Sequence, residues 1–361
     1  MTSRRRFLGG AAATGVMFCS CGLLDEAHAQ GAGRRQAVAV NGKTVKVIDT
    51  HAHCVFAETL PLVDNNRAVL INQVRGAEEA LIEVQQRFAA MDKQKVDMEV
   101  LSVNPFWYRR PRDNAAQIVK VNNEKMAELC AAHPDRFAGF ASLTLQDPQL
   151  AVQELETAMK RQGLKGAAIG GNVADKEFSD PAFHPVWQKA EELGAVLFIH
   201  PQGTPELARR FAGNGWLGNT IGNPLDTTIA LSQLIFNGTL DRFPGLKILA
   251  AHGGGFLPSY ADRSDHSCMV GPAGCDPNVV LKKRPTEYLK QIWFDSLIFS
   301  PEAIRHLQAQ VGASQIVLGS DYPYPWQLAP VDHIFACDSL SDEQKLDVLG
   351  RTAAKLLNIP A

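Results

Sequence analysis

The chain has 361 residues, of which 45% are hydrophobic and 20% charged, and its formal net charge is -2. These values are typical of a globular protein and exclude a strongly basic surface for nucleic acid. Every uninterrupted apolar segment is shorter than the roughly 20 residues that cross a bilayer. We therefore expect neither nucleic acid nor, once an export signal is removed, a membrane as a partner.

The N-terminal segment differs in composition from the rest of the chain. The arginine-rich start SRRRFLGG is followed by the apolar run AAATGVMFCSCGLL and then by AHAQ. This order is typical of a twin-arginine export signal cleaved after a small residue, here Ala29. A disordered basic tail is the alternative. We predict a signal peptide over residues 1–29, a polar linker over 30–44 and a periplasmic mature protein.

Eight apolar runs follow in chain order, and amphipathic stretches separate them. The runs are VKVIDTH (45–51), MEVLSVN (98–104), FAGFASL (137–143), LKGAAIG (164–170), AVLFIH (195–200), KILAAHG (247–253), IWFDSL (292–297) and QIVLGSD (315–321). Continuous runs of this kind are typical of parallel strands that are buried on both faces. Residues 148–161 and 184–194, between runs, have helical spacing, and Gly194 is a helix stop.

Eight strand-helix units predict an α/β fold of the (β/α)8 TIM barrel type over residues 45–361. The longest interval between strands predicts an insertion at about 54–86 that forms an arm over the barrel mouth. A doubly wound open sheet is the alternative. If it bound a dinucleotide it would need a glycine-rich first turn, but the sequence after the first strand is HAHCVF.

Polar residues stand where the predicted strands end. His51 and His53 end the first strand, His200 the fifth, His252 the sixth and Asp321 the eighth. In a barrel these ends meet at one rim, and strand residues two apart share a face. Imidazoles and a carboxylate are ligands for Zn²⁺ and similar ions. A single histidine in an apolar run is more often a hydrogen-bonded core residue, but the combined pattern predicts a metal site.

The cysteines after residue 29 do not form a recognisable metal or disulfide framework. They are Cys54, Cys130, Cys268, Cys275 and Cys337, an odd number without a CxxC pair. Cys268 and Cys275 could pair within one loop after export. We expect free thiols instead, because a twin-arginine substrate folds in the reducing cytoplasm.

Several of these segments resemble the metal-dependent amidohydrolase superfamily, of the amidohydrolase-2 type. They are DTHAH, FIHP, AHGGG and GSDYPYP, together with residues 91–105, 133–148 and 242–258. The similarity points to the branch that contains α-amino-β-carboxymuconate-ε-semialdehyde decarboxylase and related aromatic-acid decarboxylases. It extends from about Val45 to Ile359.

The resemblance implies one divalent ion, zinc or else manganese, with His51, His53, His200 and Asp321 as ligands and a water completing the shell. A metal lowers the pKa of its bound water, and His252 would act beside it as acid/base, with Asp321 as a second group for the proton. The bridging lysine of binuclear relatives has no counterpart near the end of the fourth strand. A mononuclear site is therefore expected.

Two arginines are candidates for holding a substrate carboxylate. The resemblance implies that Arg263, eleven residues after His252, reaches the site of a neighbouring subunit in a homodimer. Arg75, in the predicted arm, aligns with the second substrate arginine of the branch. The alternative for each is a solvated surface arginine. Gln202 departs from the branch, which has tryptophan there, so the substrate is left open.

Three hypotheses for function follow. The first is a non-oxidative decarboxylase of an aromatic or muconate-like carboxylic acid. The second is a hydrolase of an ester, lactone or amide on the same barrel, with the metal-bound hydroxide attacking a carbonyl carbon. The third is a barrel that keeps the ligands only as a structural metal site or as a partner subunit, a role that gives His252 no reason for its position.

Overall fold

The structure, a computed structural model, describes residues 37–71 and 74–360, so the predicted signal peptide lies outside the described residues. Ten β-strands occur in this part of the chain. They are β1 (Val38–Val40), β2 (Lys43–Val45), β3 (Ile48–His53), β4 (Met98–Ser102), β5 (Phe137–Gly139), β6 (Gly166–Ile169), β7 (Val196–Ile199), β8 (Lys247–Ala250), β9 (Ile292–Asp295) and β10 (Ile316–Val317). The last eight correspond, run by run, to the eight predicted strands.

Strands β3 to β10 form a closed parallel barrel. Hydrogen-bonded ladders join β3, β4 and β5 in one group and β6 to β10 in another. A parallel bridge between Ala141 and Ala167 connects the two groups on one side, and a bridge between Ala52 and Tyr322 connects them on the other. The predicted TIM barrel is therefore confirmed, and it places the carboxyl ends of all eight strands at one rim.

Helices connect the barrel strands. The α-helices in the described residues are α1 (Arg67–Leu70), α2 (Val84–Gln94), α3 (Arg112–Ala132), α4 (Pro148–Lys160), α5 (His184–Leu193), α6 (Asn223–Phe236), α7 (Thr239–Arg242), α8 (Ala261–Ser264), α9 (Ser267–Val270), α10 (Pro285–Tyr288), α11 (Pro301–Val311), α12 (Pro330–Phe335), α13 (Asp342–Leu346) and α14 (Thr352–Leu357). Helices α4 and α5 match their predicted ranges, and Gly194 ends α5 with a φ of 63°. Among the described residues, no helix combines the length and apolarity that a membrane span requires.

The core lies both inside the barrel and between the barrel and its helices. Inside, Phe140 and Phe198 stack with ring centroids 5.6 Å apart, and both are buried. The ring of Phe198 also contacts that of His51, at a centroid distance of 5.0 Å. Packed aromatic side chains in the barrel interior thus lie directly beneath the polar residues of the rim.

The stretch predicted as a linker up to residue 44 is instead partly folded. Strands β1 and β2 pair antiparallel, and Val38 and Val40 are buried. Asn41 and Gly42, which join the two strands, have positive φ values of 46° and 77°. Asn-Gly favours the tight hairpin turn that needs this conformation. The linker prediction is therefore wrong for this part.

The chain between β3 and β4 contains short helical turns at Ala57–Val63 and Ala77–Ala80, with α1 between them, before α2 begins at Val84. Val55 forms a parallel bridge with Leu81, so the two ends of this segment are held together. Its description as an inserted arm over the barrel mouth stays a prediction.

The loop after β8 contains a disulfide bond between Cys268 and Cys275. Our expectation of free thiols at these two positions is therefore wrong. The two residues are seven positions apart and lie on either side of the turn at Pro272–Gly274, which brings them together. Cys54, Cys130 and Cys337 are free.

Candidate metal centre

Four side chains converge at the carboxyl-terminal rim of the barrel. One ligand atom from each of His51, His53, His200 and Asp321 can be chosen so that all four atoms lie within 4.8 Å of one another. All four residues are buried. They come from β3, from the residue after β7 and from the chain just beyond β10, so residues 270 positions apart in the sequence share one small volume.

Local backbone geometry directs these side chains inward. The register of β3 against β4 shifts between Asp49 and Ala52, which indicates a bulge in the part of the strand that contains His51. The backbone N–H of Asp321 donates to the carbonyl of His51 at 2.8 Å, and that of His53 donates to the carbonyl of Tyr322 at 2.7 Å. Asp321 has a φ of 65°, a conformation that residues other than glycine rarely adopt.

Hydrogen bonds on the outer side of the cluster orient two of the imidazoles. His51 Nδ1 lies 2.6 Å from Asp295 Oδ2, and His53 Nδ1 lies 3.0 Å from Ser102 Oγ. The two Nε2 atoms therefore face inward, 3.0 Å apart. Metal-binding histidines characteristically use one ring nitrogen for a carboxylate or hydroxyl and the other for the metal.

His200 is the clearest indication that the cluster is built for a group beyond the protein. Both of its ring nitrogens are buried, and neither has a hydrogen-bond partner within the described chain. A buried imidazole without a partner is costly, so such groups usually have a function or a ligand. Three imidazoles and one carboxylate are a suitable donor set for a divalent cation.

The charges around the cluster also favour a cation. Burial opposes protonation of His51, but Asp321 and Asp295 outweigh it and raise the pKa of His51 to about 10. Burial lowers the pKa of His53 to about 4 and that of His200 well below its usual value. His53 and His200 are therefore neutral, whereas His51 carries a positive charge between the carboxylates of Asp295 and Asp321. The same two carboxylates would stabilise a divalent cation.

His252 lies beside the cluster without belonging to it. Its Nε2 is 3.7 Å from Asp321 Oδ2, and its ring centroid is 5.3 Å from that of His200. The backbone N–H of His252 donates to Asp295 Oδ2 at 2.9 Å, so the carboxylate that orients His51 also holds this turn. The next three glycines have positive φ, and a Cβ on Gly255 would lie 2.1 Å from the carbonyl oxygen of Pro224.

A cavity of about 430 Å³ opens directly above the cluster. Its lining includes three of the candidate ligands as well as His252, Asn104, Gln202, Trp216, Tyr324 and Trp326. The side-chain amide of Gln202 donates to the carbonyl of Pro105, so this side chain is tied to the wall. The cavity is large enough for a small organic molecule, which would lie against both the cluster and His252.

The structure separates the two predicted arginines from the buried cluster. Arg263 lies in the four-residue helix α8 and is exposed, and Arg75 is exposed in the turn after α1. Neither lines the cavity, although Val74, the neighbour of Arg75, does. Within one chain, therefore, the predicted carboxylate-binding groups do not meet the predicted ligands.

Sequence reasoning missed Asp295, which is fully buried at the end of β9. Its Oδ1 accepts hydrogen bonds from the backbone of Gly253 and Leu297, in addition to the contacts of Oδ2 with His51 and His252. The signal was present, since Asp295 is the one charged residue of the seventh predicted strand and lies toward its carboxyl end.

A second missed feature is the buried ion pair between Arg87 and Glu99, with Nε and Oε2 2.6 Å apart. Arg87 also donates to the carbonyl of His53 at 2.9 Å and lies over the ring of Tyr322, 4.3 Å from its centroid. Through Arg87, helix α2 therefore contacts both His53 and Tyr322, the residue that follows Asp321. The charge of Arg87 alone could not identify this role, because its partners are distant in sequence.

Comparison with known proteins agrees with this geometry. The family model described as amidohydrolase matches residues 48–359. A 2-amino-3-carboxymuconate-6-semialdehyde decarboxylase from Dictyostelium discoideum is 33% identical over 76% of this chain and 76% of its own length. A gamma-resorcylate decarboxylase from Rhodococcus jostii is 30% identical over 77% of this chain and 88% of its own.

Solved structures give the same result. The crystal structure of 5-carboxyvanillate decarboxylase from Sphingomonas paucimobilis superposes with a TM-score of 0.78 at 27% identity. The match covers 88% of this chain and all of that one. The similarity therefore includes the whole barrel and not only the motifs at its rim.

Proposed function

Because the chain belongs to the amidohydrolase family, we propose that it is a metal-dependent, non-oxidative decarboxylase of an aromatic or muconate-like carboxylic acid. The observation that carries this proposal is the buried cluster of His51, His53, His200 and Asp321 beneath a cavity that also contains His252. The relatives named above act on acids of this class, and this chain combines their family and fold with a matching site.

His51, His53, His200 and Asp321 would hold one divalent ion, and zinc is the ion we propose, with manganese as the alternative. The inward Nε2 atoms of His51 and His53 and the unpartnered nitrogens of His200 support this assignment. An ion bound there would withdraw electron density from the oxygens of the acid and orient its carboxylate. Asp295 and Ser102 keep two of the imidazoles in the required orientation.

The protein must also return a proton to the carbon that loses its carboxyl group. Cleavage of the carbon–carbon bond releases CO₂ and leaves the electron pair on that carbon, and one proton completes the product. His252 lines the cavity and is the group we assign to this transfer. Asp321, with Oδ2 at 3.7 Å from His252 Nε2, orients the imidazole and is the second group that could hold the proton.

A homodimer would give the two predicted arginines a role in the same reaction. The exposed Arg263 would reach the cavity of a second subunit, and Arg75 would approach the substrate from the chain's own segment after β3. Both would pair with substrate carboxylate oxygens. The exposure of Arg263, and its absence from the lining of the chain's own cavity, support a site completed on assembly.

We also propose that the protein is exported by the twin-arginine route and works in the periplasm. Residues 1–29 lie outside the described residues, so the support for the route comes from their sequence alone. The disulfide Cys268–Cys275, a bond that persists in oxidising compartments, supports the periplasmic location. Replacing Arg4 and Arg5 with lysine should leave uncleaved precursor in the cytoplasm. Efficient export of that variant would contradict the assignment.

The test of the reaction is a screen of hydroxybenzoic and muconate-type acids with the metal-loaded protein. A decarboxylase releases CO₂ and, in D₂O, places one deuteron on the vacated carbon. Esters and lactones are screened in parallel. Their turnover, with no CO₂ released from any acid, would replace the proposal with a hydrolase.

A further inference from the structure

A second cavity adjoins the one above the metal cluster. It has a volume of about 330 Å³, and its surface is mostly apolar. Thr220, Pro224 and Phe299 line it without lining the first cavity. None of these residues has a task in the reaction proposed above, so the cavity needs a separate explanation.

The two cavities share a wall. Asn219, Asn223, His252 and Trp326 line both of them. A molecule held against His252 in the first cavity would therefore need only a short substituent to enter the second. The first cavity contains the charged and polar groups that suit an acid, whereas the second offers mainly aromatic and aliphatic carbon.

Aromatic rings form the side of this passage. Trp326 stacks on Trp216 with ring centroids 5.7 Å apart and an interplanar angle of 7°. The ring centroid of Phe299 is 5.8 Å from that of Trp326. Phe299 and Trp216 are 59% and 50% exposed, which leaves large apolar surfaces unburied at the mouth of a catalytic cavity. Exposed aromatic surface of this kind characteristically marks a binding site.

The opposite side is set by an irregular turn. Residues Gly218–Gly222 form a π-helical turn that runs directly into α6. Asn219 and Thr220 lie within it, and Asn223 begins the following helix. π-helical turns are rare and frequently lie at functional sites. Here the turn brings one asparagine and one threonine side by side at the boundary between the polar and the apolar cavity.

We infer that the second cavity is a subsite for an apolar substituent of the substrate, so that the enzyme acts on aromatic acids that carry an alkyl or aryl group in addition to the carboxylate. The inference rests on the proposed function, because it uses the metal cluster to position the carboxylate. We expect the enzyme to prefer acids whose ring carries a substituent of several carbon atoms over acids with an unsubstituted ring.

The test is a homologous series of 2-hydroxybenzoic acids that carry hydrogen, methyl, propyl or pentyl at each remaining ring position. Binding to the zinc-loaded protein is measured by isothermal titration calorimetry, and CO₂ release is measured separately. For at least one ring position, affinity should rise by up to about fourfold per methylene. Binding without CO₂ release would refute the proposed reaction but not the subsite.

Two variants locate the effect. Phe299→Ala should reduce the ratio of pentyl to unsubstituted affinity, whereas Leu328→Ala, which removes an exposed side chain outside both cavities, should preserve that ratio. A series without chain-length dependence at every position, or no binding of any acid, would overturn the inference. If the series is flat and Phe299→Ala weakens subunit association in sedimentation velocity, the apolar surface belongs to a second copy of the chain instead.

Discussion

The buried cluster at the barrel rim and the exposed arginine on the loop after β8 differ in how they are positioned. His51, His53, His200 and Asp321 are held by strands, by hydrogen bonds between β3 and the chain beyond β10, and by Asp295. Arg263 lies in a four-residue helix and is exposed to solvent. One chain by itself therefore organises the ligands but leaves Arg263 outside its own cavity.

The largest effect should come from removing a candidate ligand. His200→Ala deletes the imidazole whose two nitrogens have no protein partner, so we expect loss of the bound ion and of all measurable activity. Metal content by mass spectrometry and CO₂ release are the two measurements. His306→Ala removes a histidine of α11, outside the cluster, and serves as the matched control. Full metal content in His200→Ala would remove this residue from the ligand set.

His252 separates ligation from proton transfer. His252→Asn should keep about one ion per chain and lose at least roughly 10²-fold in turnover, because only the proton-transferring group is removed. Metal analysis and turnover are measured on the same preparation. Loss of the ion comparable to that in His200→Ala would make His252 a ligand and refute its assigned role.

Asp295 tests how strongly the outer hydrogen bonds support the cluster. Asp295→Asn keeps the size of the side chain but removes the charge facing His51 Nδ1, at 2.6 Å. We expect metal affinity to fall by about 10- to 100-fold, as is usual for such partners. A competition titration with a chelator gives the affinity. Wild-type affinity together with an unchanged fold would mean that the backbone alone orients His51.

The smallest expected net loss is that of mixed subunits, and it tests whether Arg263 belongs to the partner's site. Chains with Arg263→Ala and chains with His252→Ala should each be inactive but should recover activity when mixed. A hybrid dimer has one site with both groups and one site with neither, so each hybrid should retain about half of the wild-type activity. Subunits that demonstrably exchange without recovery would place Arg263 outside the partner's site.

Much of the fold could be predicted because its signals are local. Each of the eight barrel strands is a short run of apolar residues, and the polar residue that ends a run marks the rim. Thus His51, His53, His200 and Asp321 could be grouped before their distances were known. The Asn41-Gly42 turn was an equally local signal, and reading these residues as part of a linker overlooked it.

The rest depends on contacts between distant parts of the chain. Trp326 and Phe299 become one wall only when the loops after β9 and β10 meet the turn at Gly218–Gly222. The buried pairing of Arg87 with Glu99 likewise needs α2 to pack on β4. Neither the periodicity nor the spacing of residues predicts such long-range contacts. The sequence alone therefore predicts the residues of the metal cluster better than those of the cavity walls.

A metal titration of the stripped protein with a carboxyl-¹³C-labelled aromatic acid in D₂O tests directly whether one ion supports decarboxylation. We predict no ¹³CO₂ without metal and a rise that reaches its plateau at one equivalent of zinc or manganese per chain. One deuteron should appear on the vacated carbon for each CO₂ released. Equal ¹³CO₂ release by the stripped protein, or a plateau at two equivalents, would contradict a single-ion decarboxylase built on this cluster.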